Sequence, residues 1–188
     1  MDLDKYMDVD YLRSLGKKPQ WFGLGFIQLK ISFHNRLHFW DPSLASLVNP
    51  EELHDHRYGF KSFVLAGEVE HDVYSFKESK EGTHEMCEVF CQPEKSSPPK
   101  VIATGNIQSE GCYTMTAGSH CRFPVGRFHK GSAQLAVTYL ERDKPEKDVA
   151  RIIRPLQKSA GWACPFSGKL SQDECWQAIE NIIASAPR

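Results

Sequence analysis

Two imidazoles separated by one residue, in His54-Asp55-His56, are the side chains of this chain best suited to hold a metal ion. Residues i and i+2 of a β-strand point to one face, so an extended segment here presents both rings in the same direction. A third imidazole lies downstream, in Gly118-(five residues)-Pro124-Val125-Gly126-Arg127-Phe128-His129. Brought alongside by another strand, His129 completes a three-nitrogen face suited to a divalent transition metal. A lone histidine is more often a surface or satisfied core residue, and it is the three together that carry the metal reading. His71 follows Gly67 by four residues and is a candidate fourth ligand, although a solvent-facing position suits it better. His34 is expected in a turn, His84 in a polar loop, and His120 in the framework ahead of the ligand loop.

Other residue types could orient a substrate beside such a centre. Arg36, His38 and Trp40 alternate on one face of a predicted strand. Pointing inward, Arg36 would clamp a carboxylate or phosphate with its planar fork; on the outer face it would simply be solvated. Tyr58 shares strand parity with His54 and His56, so its phenol is placed either to donate to a metal-bound ligand or to pack. Tyr139 would point into the same space from the final strand. Arg36, Tyr58 and Tyr139 are therefore the candidate substrate-orienting residues. Arg122, Arg127 and Lys130 surround the second histidine segment and would draw anions toward it, unless they are only solvated. The six cysteines include no CxxC pair and read as buried thiols in a reducing compartment, outside the site.

The elements that must position these groups are mostly strands. At 188 residues the chain is expected to be a single domain, a barrel over about 21–145 followed by a helical extension over about 146–188. A short helix over Val9–Leu15 ends at Gly16 and Pro19. Ile27–Phe33 alternates as a half-buried strand, turns at His34-Asn35, and continues as Arg36–Trp40 until Asp41-Pro42 breaks it. Pro50-Glu51-Glu52-Leu53 leads into the histidine pair. Phe60–Leu65 and Val69–Phe76 read as a hairpin with its turn at Ala66-Gly67. Further strands fall at Glu85–Cys91, Gly111–Thr116 with a turn at Ala117-Gly118, and Ala133–Glu141; Pro93–Lys100 is a loop. After Pro145 the β pattern fades. Ser171-Gln172-Asp173-Glu174 is a capping box opening a helix whose stripe of Cys175, Trp176, Ile179, Ile182 and Ile183 should lie on the barrel or on a partner chain. A net charge of −1 gives no field to recruit nucleic acid or an anionic membrane. No apolar run is long enough to span a bilayer, and the start lacks a secretory pattern, so a cytoplasmic location is expected.

The two histidine segments resemble the two motifs of the cupin superfamily, small β-barrels of jelly-roll type. Gly118 to His129 reproduces the second motif, a glycine, five residues, then PxGxxH, at every position through the histidine. The asparagine usual four residues later is Ala133. His54 and His56 supply the HxH of the first motif and Gly67 its closing glycine, but the expected glutamate falls at Phe60 or Lys61 and an earlier glycine at Val48. Over about 25–142 the resemblance implies a mainly β fold, a single cupin barrel with a short N-terminal helix and a C-terminal helix packed outside.

A typical cupin centre has three histidines and one carboxylate. Without the glutamate, the implied ligands are His54, His56 and His129, a set similar to that of the thiol dioxygenases (the cysteine dioxygenase-like branch), which bind ferrous iron. That branch's crosslinking cysteine falls here at Lys61 and its distal tyrosine near Arg142. The resemblance thus implies a non-haem iron(II) dioxygenase acting on a thiol or another small polar or anionic molecule. A zinc, manganese or nickel hydrolase or isomerase, and a non-catalytic sensor, stand as alternatives, and a second copy of the chain as a candidate partner.

Overall fold

Apolar side chains at alternate positions, many of them β-branched or aromatic, fold this chain into long antiparallel strands. The computed structural model describes residues 2–45, 53–92, 95–96, 98–156, 164–165 and 170–188. A 3-10 turn (Asp4–Met7) leads into α1 (Val9–Ser14), where the Asp8 carboxylate accepts from the Tyr11 amide as a cap. The strands are β1 (Pro19–Phe22), β2 (Leu24–Lys30), β3 (Asn35–Ala45), β4 (Leu53–His54), β5 (Phe60–Glu78), β6 (His84–Val89), β7 (Cys91–Gln92), β8 (Lys95–Ser96), β9 (Lys100–Thr116), β10 (His120–Phe123), β11 (Phe128–Arg142) and β12 (Ala150–Pro155). The chain ends in α2 (Gln172–Ser185).

Pairing runs from β11 through β4, β12, β6, β9 and β5 and back to β11, so the sheet closes on itself. β1, β2 and β3 extend the wall beside the C-terminal half of β11, and β10 lies against the start of β5. This is a mainly β barrel of the cupin, jelly-roll kind, with one short helix before it and one packed outside.

Three departures from the sequence reading matter for the site. Gly67 does not turn a hairpin: β5 runs unbroken for 19 residues. With φ +76° and no room for a Cβ, which would sit 2.0 Å from the Leu135 carbonyl oxygen, Gly67 marks a bulge opposite the irregular stretch between Ala133 and Ala136. β3 continues past Asp41-Pro42 to Ala45; Pro42 falls where the β2 register slips between Phe26↔Trp40 and Leu24↔Ala45 and where β11 no longer pairs, so no ladder amide is needed from it. β12 is a full strand of the barrel, paired with β4 and β6, which carries the barrel to Pro155. Its signal was the Ile152-Ile153 pair, hidden among arginines and a proline.

Helix α2 begins with the reciprocal capping box of Ser171 and Glu174. Its stripe packs on Tyr6, Leu12, Ile27, Leu29 and Tyr139, and Leu170 sits against the same cluster. Cys87, Cys112, Cys121 and Cys175 are free, whereas Cys164 is disulfide-bonded, a departure from the expected set of thiols. Pro50, Glu51 and Glu52 before the histidine pair, Val48, and Pro93, Glu94 and Ser97 of the expected loop lie outside the described residues. No helix among the described residues is long and apolar enough to cross a membrane.

Candidate metal centre

The barrel register brings the two histidine segments together. His129, near the start of β11, lies directly across from His54 on β4, and the rings stand 4.7 Å apart between centroids. Of the pair, His54 alone is in regular strand; His56 follows on an extended loop, yet its ring also turns inward, 5.1 Å from both His54 and His129. One nitrogen from each of the three lies within 4.8 Å of the others. The turn ahead of β11 is closed by Gly126 at φ +76°, and the Gly126 amide donates to the His56 carbonyl at 3.4 Å, so the two segments dock on each other.

Asp55, between the two histidines, points the other way and is buried. The Arg151 amide donates to Asp55 Oδ1 at 2.6 Å and Arg151 Nε to Oδ2 at 2.8 Å, while Arg151 Nη2 and Lys147 Nζ lie 2.7 and 3.6 Å from Oδ2. Arg151 Nη2 also donates to the Gly126 carbonyl at 3.4 Å. One arginine of β12 therefore ties the histidine pair to the turn that delivers His129. Sequence reading passed over both Asp55 and Arg151, although strand parity did place Asp55 opposite the imidazoles.

The donor set fits a divalent metal. All three imidazoles stay neutral at physiological pH, with lone pairs available. Burial holds His54 down to about 4, with His71 adding to it. Burial also holds His129 at about 3, helped by His54 and opposed by the bond to the Arg127 carbonyl. His56 is held well below its ordinary value by burial and then by the histidines and Arg36 around it. His129 Nδ1 lies 3.3 Å from the Arg127 carbonyl oxygen; donating there, it leaves Nε2 as the ligand atom. His54 Nδ1 is buried with no hydrogen-bond partner among the described residues. The group contains no carboxylate. Phe60, one of the two positions at which the resemblance puts a glutamate, lays its ring against His56 (4.9 Å, edge-on) and His129 (5.8 Å).

The centre opens into a cavity of about 570 Å³. Arg36, His38 and Trp40 all face into it, and Arg36 Nη2 donates to the Tyr58 hydroxyl. Tyr58 is buried, lines the cavity and stacks on His56 at 5.4 Å. Tyr139 does not join them. It is buried on the other side of β11, stacked on Tyr6 beneath α2, and burial pushes its phenol up to about 12. His71 is the opposite case: expected in solvent, it is buried, lines the cavity and lies 5.7 Å from His129. His38 and His71 each keep one buried nitrogen without a partner among the described residues, and burial lowers both, His71 to about 3. Arg122 and Arg127 pair instead with Asp143 and Glu110.

A closed antiparallel β-barrel with a three-imidazole group facing its cavity is thus the class of protein that fold and site define. No family model matches the sequence, and no curated protein matches it. Solved structures similar to it include hydroquinone 1,2-dioxygenase PnpCD in complex with Cd2+ and 4-hydroxybenzonitrile, at 15% identity and a TM-score of 0.34, covering 61% of each chain. Another is hydroquinone 1,2-dioxygenase from Sphingomonas sp. TTNP3 with 4-hydroxybenzoate bound, at 11% identity and a TM-score of 0.34, covering 59% of this chain and 60% of that one. The chain spans about three fifths of the length of these proteins.

Proposed function

We propose that this protein is a metal-dependent dioxygenase acting on a small molecule, with iron(II) held by His54, His56 and His129. The observation that carries the reading is three neutral imidazole nitrogens within 4.8 Å of one another, facing a cavity large enough for a small organic substrate. A three-nitrogen face leaves coordination positions open, and iron bound there supplies the electron transfer that lets oxygen react with an organic molecule. The chain's own residues do the rest. Arg151 and Asp55 set the angle of the histidine pair, and the Arg127 carbonyl fixes the His129 tautomer. Phe60 and Phe123 stack beside the imidazoles and keep bulk water from that side. Arg36 and Tyr58 are the groups placed to orient a substrate at the open side.

The experiment begins with metal content. Protein purified without chelator is expected to carry about one divalent metal per chain, lost in a His54→Ala/His56→Ala double variant. Iron-reconstituted protein should then consume oxygen with one member of a panel of thiols, amino acids and aromatic diols. A wild-type chain still metal-free after reconstitution, or one that holds iron and consumes no oxygen with any of the panel, sinks the reading.

A further inference from the structure

Three cations meet at the mouth of the cavity: Lys30 of β2, Arg36 of β3 and Arg142 of β11. Arg36 lies directly across from Lys30 on one side and Leu140 on the other, and Arg142 follows Leu140 on the same face. Like charges facing each other across a sheet destabilise it, so this arrangement is a cost the fold carries. Among the described residues no carboxylate stands within salt-bridge distance of the Arg36 or Arg142 guanidinium. This sets them apart from Arg122 and Arg127, whose carboxylate partners lie at 2.6 Å.

Both guanidiniums lie against one aromatic ring, that of Tyr58, at 5.3 and 5.2 Å from its centre. Arg36 Nη2 donates to the Tyr58 hydroxyl, and Arg36 Nη1 reaches Gln28 Oε1 at 3.4 Å. The Arg142 guanidinium lies over the Tyr58 ring, 5.2 Å from its centre, and gives its Nε to the Phe33 carbonyl at 2.5 Å. With Arg36 donating to its oxygen, the Tyr58 O–H is left to donate elsewhere, and guanidinium N–H groups remain over on both arginines. Burial, and after it the Arg36 charge, hold Lys30 and Arg142 below their ordinary values.

We propose that Arg36, Arg142 and Tyr58, with Lys30 at the rim, form an anchor for the oxyanion group, a carboxylate or a phosphate, of the small molecule that reaches the histidine triad. The second half of that statement rests on the proposed function; the binding of the anion does not. Two planar forks and a phenolic O–H supply the directional donors that a carboxylate or phosphate oxygen accepts. The Tyr58 ring stacks on His56 at 5.4 Å and carries the Arg36 guanidinium 5.3 Å from its centre, so the anchor adjoins the metal centre.

The test uses metal-free protein and two probes, acetate and inorganic phosphate, titrated by calorimetry at low ionic strength. Saturable binding of either probe is expected, weakening as sodium chloride is added. Arg142→Met and Arg36→Met should each weaken it about tenfold or more, whereas Arg122→Met should leave it unchanged. Preference for acetate or for phosphate supports the anchor in either case and identifies the group it takes. No saturable binding to wild type, or wild-type binding by a folded Arg142→Met chain, overturns it. Should Arg36→Met fail to fold without its bonds to Tyr58 and Gln28, Arg142→Met, Arg142→Lys and the salt dependence still decide. Anion binding in a chain that never takes up iron would sink the dioxygenase reading and leave the anchor, and an iron-loaded chain blind to both probes would do the reverse.

Discussion

Replacing Asp55 tests whether the histidine pair is positioned from behind. Its carboxylate is 1% exposed and takes two hydrogen bonds from Arg151, at 2.6 and 2.8 Å, with Arg151 Nη2 and Lys147 Nζ close by. Breaking a buried pair by removing one partner costs about 3–5 kcal/mol, because the remaining charge is left without compensation. Here the Arg151 and Lys147 side chains are 26% and 36% exposed, so water recovers part of that cost. The lower end, about 3 kcal/mol for Asp55→Ala and about 1–2 kcal/mol for Asp55→Asn, is the expected loss. Measured by urea unfolding in chelator, it reports on the metal-free fold alone. Metal affinity, measured by competition with a chromophoric chelator, should fall about 10–100-fold in Asp55→Ala, as for other residues that hold metal ligands in place. Asp55→Ala unfolding within 1 kcal/mol of wild type, by the scale used here, would refute the ion-pair argument. A destabilised variant with wild-type metal affinity would refute the positioning role.

Other consequences follow from the same geometry. Gly67→Ala forces a Cβ to within 2.0 Å of the Leu135 carbonyl at a positive φ, so this variant should lose about 3 kcal/mol or more, or fail to fold, as read by thermal unfolding. Metal-free protein should lose stability as pH falls below about 6.5. His38, His54, His56, His71 and His129 are all held below that value in the fold, so the unfolded chain takes up protons first. Each contributes up to about 1.4 kcal/mol per pH unit, and for His54, His71 and His129 this fades as pH approaches their folded values of about 4, 3 and 3. A urea midpoint that holds steady or rises from pH 7 to pH 5 would contradict this. Ser171→Ala removes one side of the α2 capping box and should cost about 1 kcal/mol without altering metal content.

Much of the site was legible because its signals are local. An HxH pair needs only the two-residue period of extended chain to converge, and the Pro124–His129 segment carries its own turn, closed by a glycine at positive φ. The capping box of α2 and its apolar stripe are local as well. Asp55 and Arg151 were not legible as a pair, since they are far apart in sequence and meet only because β12 lies beside β4. The residues of β12 carry too few apolar side chains to show alternation, so the strand that locks the histidine pair could not be seen in its own sequence.

The misplacements of His71 and Tyr139 have one kind of cause. Before Gly67 the inward residues of β5 are even, Phe60, Ser62 and Val64; after it they are odd, Val69, His71 and Val73. The register shift between Val64 and Ala66, just ahead of Gly67, inserts one residue on β5 and exchanges the faces of everything beyond it. Directly across, the irregularity between Ala133 and Ala136 does the same to β11: His129 and Gly131 line the cavity, then Thr138, Leu140 and Arg142. Counting twos from His129 puts Tyr139 inside and Arg142 outside, and the paired bulges reverse both. Two neighbouring register shifts therefore move one expected phenol into the helix-side core, bring an unexpected imidazole within reach of the triad, and turn Arg142 toward Arg36 and Tyr58. The faces of the cavity wall are exchanged at two shifts flanking Gly67, whose missing Cβ lets Leu135 and Ala136 approach, and filling that glycine should disturb the anion anchor and the His71 face together.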